Sequence, residues 1–162
     1  MPIVSNTSPI LNLAIVDQLN LLQQQFGQIL IPETVLEELK IDEPRPGSEV
    51  VKAAIQTGWI QVQAITDRAL FQLLKQSLDP GEAAAIALAV ELSANLILLD
   101  EREGRKIAKS LGLNATGILG VLLKAKRSGS LSSVQTVIND LINKAGFRIS
   151  ADLLQKILQA SQ

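Results

Sequence analysis

A three-layer α/β/α sandwich with a mostly parallel central sheet is the α/β fold this sequence predicts, and three observations predict it. Short apolar runs at residues 2–4, 28–31 and 95–99 alternate with helical patterns along the chain. Past Gln28 and Asn95 these runs are apolar rather than alternating, as in strands covered on both faces. Only Trp59-Ile60-Gln61-Val62-Gln63 alternates, which marks an edge strand with one wet face.

In chain order, residues 2–4 read as a buried strand, and Ser8-Pro9 reads as the N-cap and first residue of a helix. The apolar positions from Ile10 to Leu22 make two short helices or one bent at Asp17, stopped by Gly27. Strand 28–31 follows, then a helix over 32–40, closed by the turn-rich Asp42-Glu43-Pro44-Arg45-Pro46-Gly47. Helices are expected over 48–56, 66–78 and 79–92, with the strand at 59–63 between the first two. After strand 95–99 come a helix over 101–111, a short strand at 113–116 and a helix over 117–127. Beyond Ser128-Gly129-Ser130, two amphipathic helices cover about 131–145 and 151–160.

With 162 residues, 47% of them hydrophobic and 19% charged, the chain is expected to form a single domain, 1–162. Its apolar stretches fall far short of the roughly 20 residues a membrane span needs, and no signal-type segment opens it, so a cytoplasmic protein is expected.

The chain has no cysteine and no histidine. Disulfides, thiolate nucleophiles, Ser-His-Asp triads and the common zinc sites are therefore excluded. Carboxylates, amides, hydroxyls and Lys/Arg remain. A metal site built from oxygen alone favours hard cations, chiefly Mg²⁺ or Mn²⁺, whose bound water can act as nucleophile.

The net charge of −1 hides a division: residues 1–100 carry 12 acidic and 5 basic side chains, residues 101–162 carry 4 acidic and 10 basic. Either the halves neutralise each other across the fold, or an acidic metal cleft is flanked by a basic rim suited to phosphates.

In open α/β sheets ligands collect beyond the carboxyl ends of the strands. Asn6 leaves the first strand there, and Asp100 leaves "NLILLD". "DPGEAAAIALA" puts Glu82 in the first turn of the helix preceding that strand. In "IPETVLEEL", Glu38 borders the apolar face of Val35, Leu36 and Leu39 while Glu37 points away, so Glu38 is the one able to face inward. Each has a plainer meaning. Asp79-Pro80-Gly81-Glu82 is a capping box, Asp100 with Glu103 fits another, Asn6 suits a turn, and Glu38 a helix surface.

Taken together, "IVSNTSPILNLA", "ILIPETVLEEL", "DPGEAAAIALA", "NLILLDEREGRKIA" and "ATGILGVLLKAK" resemble the PIN-domain family. The likeness is to its uncharacterised-function branch, related to the toxin ribonucleases of bacterial and archaeal toxin-antitoxin pairs. It is strongest over residues 2–127 and looser over the C-terminal helices.

The resemblance implies an acidic cleft that binds Mg²⁺ or Mn²⁺ and hydrolyses RNA, with Asn6, Glu38, Glu82 and Asp100 as both metal ligands and catalytic residues. It also implies a small antitoxin protein as partner and a homodimer. Two positions depart from the family pattern: the first acid is the amide of Asn6, and Leu98 stands where many relatives carry a hydroxyl. An amide keeps an oxygen for the metal but removes a charge, which predicts weaker cation binding and slower chemistry. Ser8 can support a ligand through a hydrogen bond. Arg102, Arg105, Lys106 and Lys109 can hold the phosphate backbone, as can Lys124, Lys126 and Arg127 farther on, although each set also fits a solvated helix face. With no tyrosine and one tryptophan, the main grip on RNA is expected to be on the backbone rather than by stacking.

Two rivals remain at this level. The same fold can serve as a catalytically impaired module that binds RNA or a protein partner. A phosphoacceptor receiver domain also keeps acids at strand ends, but its paired acid near the first strand and its lysine at a later strand end are not evident.

Overall fold

The computed structural model describes residues 2–162. Its sheet holds β1 (Ile3–Ser5), β2 (Ile29–Pro32), β3 (Ile60–Gln63), β4 (Leu96–Leu98) and β5 (Ala115–Thr116), all parallel, in the order β3-β2-β1-β4-β5. Among the described residues, ten helices surround it: α1 (Thr7–Ile15), α2 (Asn20–Phe26), α3 (Glu33–Leu39), α4 (Ser48–Thr57), α5 (Arg68–Leu74), α6 (Pro80–Glu91), α7 (Arg102–Ser110), α8 (Ile118–Arg127), α9 (Val134–Ala145) and α10 (Ala151–Ala160). This is the three-layer α/β/α sandwich expected, with the alternating strand β3 at one edge.

Two apolar clusters form the layers. One joins α1, α2, α4, α8 and α9 to one face of the sheet, and the other joins α5, α6 and α7 to the opposite face. The middle of α6 is apolar all round, and Ala83 to Ala89 are fully buried. Such a helix can only be stable wrapped on every side, and its alanines let neighbouring backbones approach closely. Among the described residues, no helix is long and apolar enough to cross a membrane.

The chain winds outward from β1 through β2 to β3, then returns to the other side of β1 for β4 and β5. The strand order therefore reverses between β1 and β4, where crevices form at the carboxyl ends of parallel strands. Ser5 is in register with Leu98, and the Asn6 backbone N–H donates to the Leu98 carbonyl at 3.0 Å. Asn6 and Asp100 thus leave the sheet on neighbouring strands.

Three local expectations change. Helix α1 starts at Thr7 with Asn6 as its N-cap residue, so Ser8 and Pro9 lie inside the first turn rather than at cap and first position. Proline is accommodated there because first-turn N–H groups have no intrahelical acceptor. Helix α7 is preceded by Glu101, which makes no side-chain cap, so Asp100 is not its cap. Helix α5 covers only residues 68–74, opened by the carboxylate of Asp67, which accepts from the Leu70 N–H. The bend near Asp17 resolves into two helices, with Asp17 in the left-handed region at φ 60°.

Candidate active site

Helices α1, α7 and α8 begin where β1, β4 and β5 end, and α6 runs back antiparallel to β4, so its N-terminus opens at the same end of the sheet. Helix N-termini carry partial positive charge and free N–H groups, which favours carboxylates and phosphates. In this field, Glu82 and Asp100 each sit at one of these helix starts.

Asp100 uses it directly. Its Oδ1 accepts from the Ile118 N–H at 2.8 Å, capping α8 across 18 positions of sequence, while Oδ2 is buried with no partner. Glu82 completes the capping box with Asp79: the Asp79 carboxylate accepts from the Glu82 N–H at 2.9 Å, and Glu82 Oε2 accepts from the Asp79 N–H at 3.4 Å. Its Oε1 is buried and unpaired, facing Gly104, where an added Cβ would stand 3.1 Å away. Each acid therefore gives one oxygen to a helix cap and leaves the other unsatisfied. Asn6, 3% exposed, likewise buries an unpaired Oδ1. Buried polar atoms without partners are rare and costly, on the order of 1–3 kcal/mol each.

Glu38 is held differently. It is half-buried on α3, while Glu37 is exposed. The Thr7 hydroxyl donates to Glu38 Oε1, and the carboxylate lies against Gly81 at the start of α6. Thr7, which the sequence did not single out, makes the supporting bond expected of Ser8, and Ser8 instead lines the cleft. Any side chain at Gly81 would occupy the space of the Glu38 carboxylate. Gly81→Ala is expected to leave the melting temperature unchanged or raised, because alanine favours helix by about 1 kcal/mol. If the crevice does what the resemblance implies, pushing Glu38 off Thr7 should lower RNA cleavage at least roughly tenfold. Thermal melts and cleavage rates on one preparation check both.

Burial raises the Glu82 pKa from 4.5 to about 7, and the nearby charges of Asp79 and Glu101 push the same way. Burial also raises Asp100, against the Ile118 hydrogen bond and Arg105, which favour its ionised form. Glu101 thus bears on both acids, a role that nothing in its place in the sequence signals. The folded chain holds the Glu82 proton more tightly than the unfolded one. Stability should therefore fall as pH climbs from 4.5 to about 7 and stay low above it. In chelator, the wild type should lose up to about 3 kcal/mol between pH 4.5 and 8 relative to Glu82→Gln, as read from paired denaturant melts.

A cleft of about 480 Å³ opens beside Asp100, bounded by Ser8, Glu101, Arg105, Phe147 and Arg148 among others. Of the four cations proposed on α7, Arg105 lines this cleft, Arg105 and Lys109 line the adjoining groove, and Arg102 and Lys106 are exposed beside them. Lys124, Lys126 and Arg127 end α8, whose start faces the site, so they lie at the far end of the sheet. There Lys124 covers the Phe26 ring, and Lys126 donates to the Ser132 carbonyl.

A parallel α/β/α sandwich with an acid-lined crevice at its switch point defines a class in which oxygen groups do the chemistry. A PIN-domain family model matches residues 2–162, and the chain belongs to the PIN-domain family. Its members are generally nucleases and typically depend on divalent metal. No curated protein matches the chain.

Among the described residues, no three Asp or Glu side chains group so as to hold a metal by themselves. The unpaired oxygens of Asn6, Glu82 and Asp100 are nevertheless donors of the kind a hard cation takes, two carboxylates and an amide. By the chemistry of their donors these residues suit such an ion.

Proposed function

We propose that this protein is a single-domain, metal-dependent ribonuclease of the PIN type. The observation that carries the proposal is the three buried, unpaired oxygens of Asn6, Glu82 and Asp100 at the β1/β4 switch point. When bound there, Mg²⁺ or Mn²⁺ supplies an activated water and neutralises charge on the phosphate. Glu82 and Asp100 hold the ion by the oxygens their caps leave free. Asn6 adds a neutral ligand, and Glu38, fixed by Thr7, orients or deprotonates the attacking water from the α3 side. Arg105 holds the phosphate beside Asp100.

The related toxin nucleases suggest the biological setting: a cytoplasmic homodimer acting as the toxin of a pair and held by a small antitoxin. The departure at Asn6 favours a second reading, a catalytically impaired module that binds RNA or a protein. Incubating labelled RNA with the protein and Mn²⁺, with and without chelator, separates the two. Chelator-sensitive cleavage supports the nuclease, and intact RNA supports the module.

A further inference from the structure

The cleft beside Asp100 is walled on its far side by the turn between α9 and α10, a segment the nuclease chemistry does not use. Gly146, at φ 70°, ends α9, and the backbone N–H groups of Gly146 and Phe147 both donate to the Leu141 carbonyl, which fixes the turn. Phe147 packs half-buried against the core and also lines the cleft, and Arg148 follows it there. The other aromatic rings are engaged elsewhere: Phe71 is buried under Lys75, Phe26 lies under Lys124, and Trp59 precedes the edge strand β3.

We infer that this cleft is a nucleotide subsite for single-stranded RNA, in which the Phe147 ring stacks on a base and the guanidinium groups of Arg105 and Arg148 hold its flanking phosphates. The inference rests on the nuclease reading and gives it a substrate-binding register. Three observations support it. The cleft volume, about 480 Å³, lies within the ~300–1,000 Å³ range of small-molecule sites. Its contents are complementary to a nucleotide: an aromatic ring, two arginines, and the hydroxyl of Ser8 one turn from the carboxamide of Asn12 on α1. Among the described residues neither arginine makes a salt bridge; Arg105 acts on Asp100 only at longer range, so both guanidinium groups keep donors for phosphate. A nucleotide seated here brings a phosphodiester next to Asp100. Single-stranded RNA suits the site because an unstacked base can leave its neighbours for a protein ring, whereas a base in a duplex cannot.

The test is fluorescence anisotropy of a labelled eight-nucleotide single-stranded RNA with the full chain in chelator, where cleavage is off. Phe147→Leu keeps apolar volume against the core and removes the ring, and should weaken binding roughly 10- to 100-fold with an unchanged melting temperature. Phe147→Trp should bind like the wild type or better, with indole emission quenched by RNA. Arg148→Ala should reduce the salt dependence by about one counterion. Wild-type affinity in Phe147→Leu, with an unchanged salt slope in Arg148→Ala, overturns the subsite but leaves the nuclease standing if wild-type cleavage persists. A wild type that neither binds nor cleaves the RNA overturns both.

Discussion

Asp100→Asn is expected to slow metal-dependent cleavage by at least roughly 10² while leaving the fold intact. The substituted amide keeps an oxygen to accept from the Ile118 N–H, so the cap on α8 survives. What disappears is the negative charge on the buried Oδ2, the oxygen with no protein partner. Loss of one preorganised electrostatic group costs on the order of 10²–10³ in rate, so the variant should be slower by at least roughly 10². It should also lose the stabilisation that bound metal confers. At a hundredfold excess over the dissociation constant that stabilisation is about 2.7 kcal/mol, which corresponds to about 5–10 °C for a chain of this size. Cleavage rates and melts with and without Mn²⁺, on one preparation, measure both losses. Wild-type cleavage by Asp100→Asn would mean that Asp100 serves the α8 cap alone.

Asn6→Asp should act in opposite directions with and without metal. Asn6 is almost wholly buried, beside a site where burial already raises Glu82 and Asp100. A further carboxylate there adds desolvation and like-charge repulsion, with carboxylates ~4–6 Å apart raising one another's pKa. In chelator at pH 8 the variant should be less stable by on the order of 2–3 kcal/mol. With Mn²⁺ the same charge is compensated, so the metal-induced rise in melting temperature should exceed the wild type's, and cleavage should accelerate up to about 10²-fold. Denaturant melts in chelator and in Mn²⁺, with single-turnover cleavage, read these effects. On the proposed reading the amide of the native chain marks a compromise: it offers the metal an oxygen and keeps the metal-free fold from carrying another buried anion. Equal metal-induced shifts in variant and wild type would place Asn6 outside the site.

These expectations grew from signals of unequal reach. The run Leu96-Ile97-Leu98-Leu99 ending in Asp100 was legible because a strand buried on both faces has nowhere to put a polar residue until it leaves the sheet. The capping box of Asp79 and Glu82 was legible because its two bonds close within one turn. The role of Asp100 at a helix end was readable only in kind: capping rules point to the helix that follows, whereas its partner N–H belongs to Ile118, brought near by β5. Thr7 and Ser8 are adjacent hydroxyls at the mouth of one strand, and only the placement of α3 decides which of them reaches Glu38. Phe147 and Arg148 carried no signal in sequence, because their place on the cleft depends on how α9 and α10 fold back beside α1 and α7. The charge division gains a geometric meaning here. Glu38, Glu82 and Asp100 come from the acidic part of the chain, while Arg105 and Arg148 on the neighbouring cleft come from the basic part.

Isothermal titration of Mn²⁺ into the metal-stripped protein, run in parallel on the Glu82→Gln and Asp100→Asn double variant, decides whether Glu82 and Asp100 together hold a metal ion. Saturable binding to the wild type at about one ion per chain is expected, with no measurable heat from the folded double variant. Binding of equal strength and stoichiometry to both proteins, or none to the wild type at millimolar Mn²⁺, would contradict it.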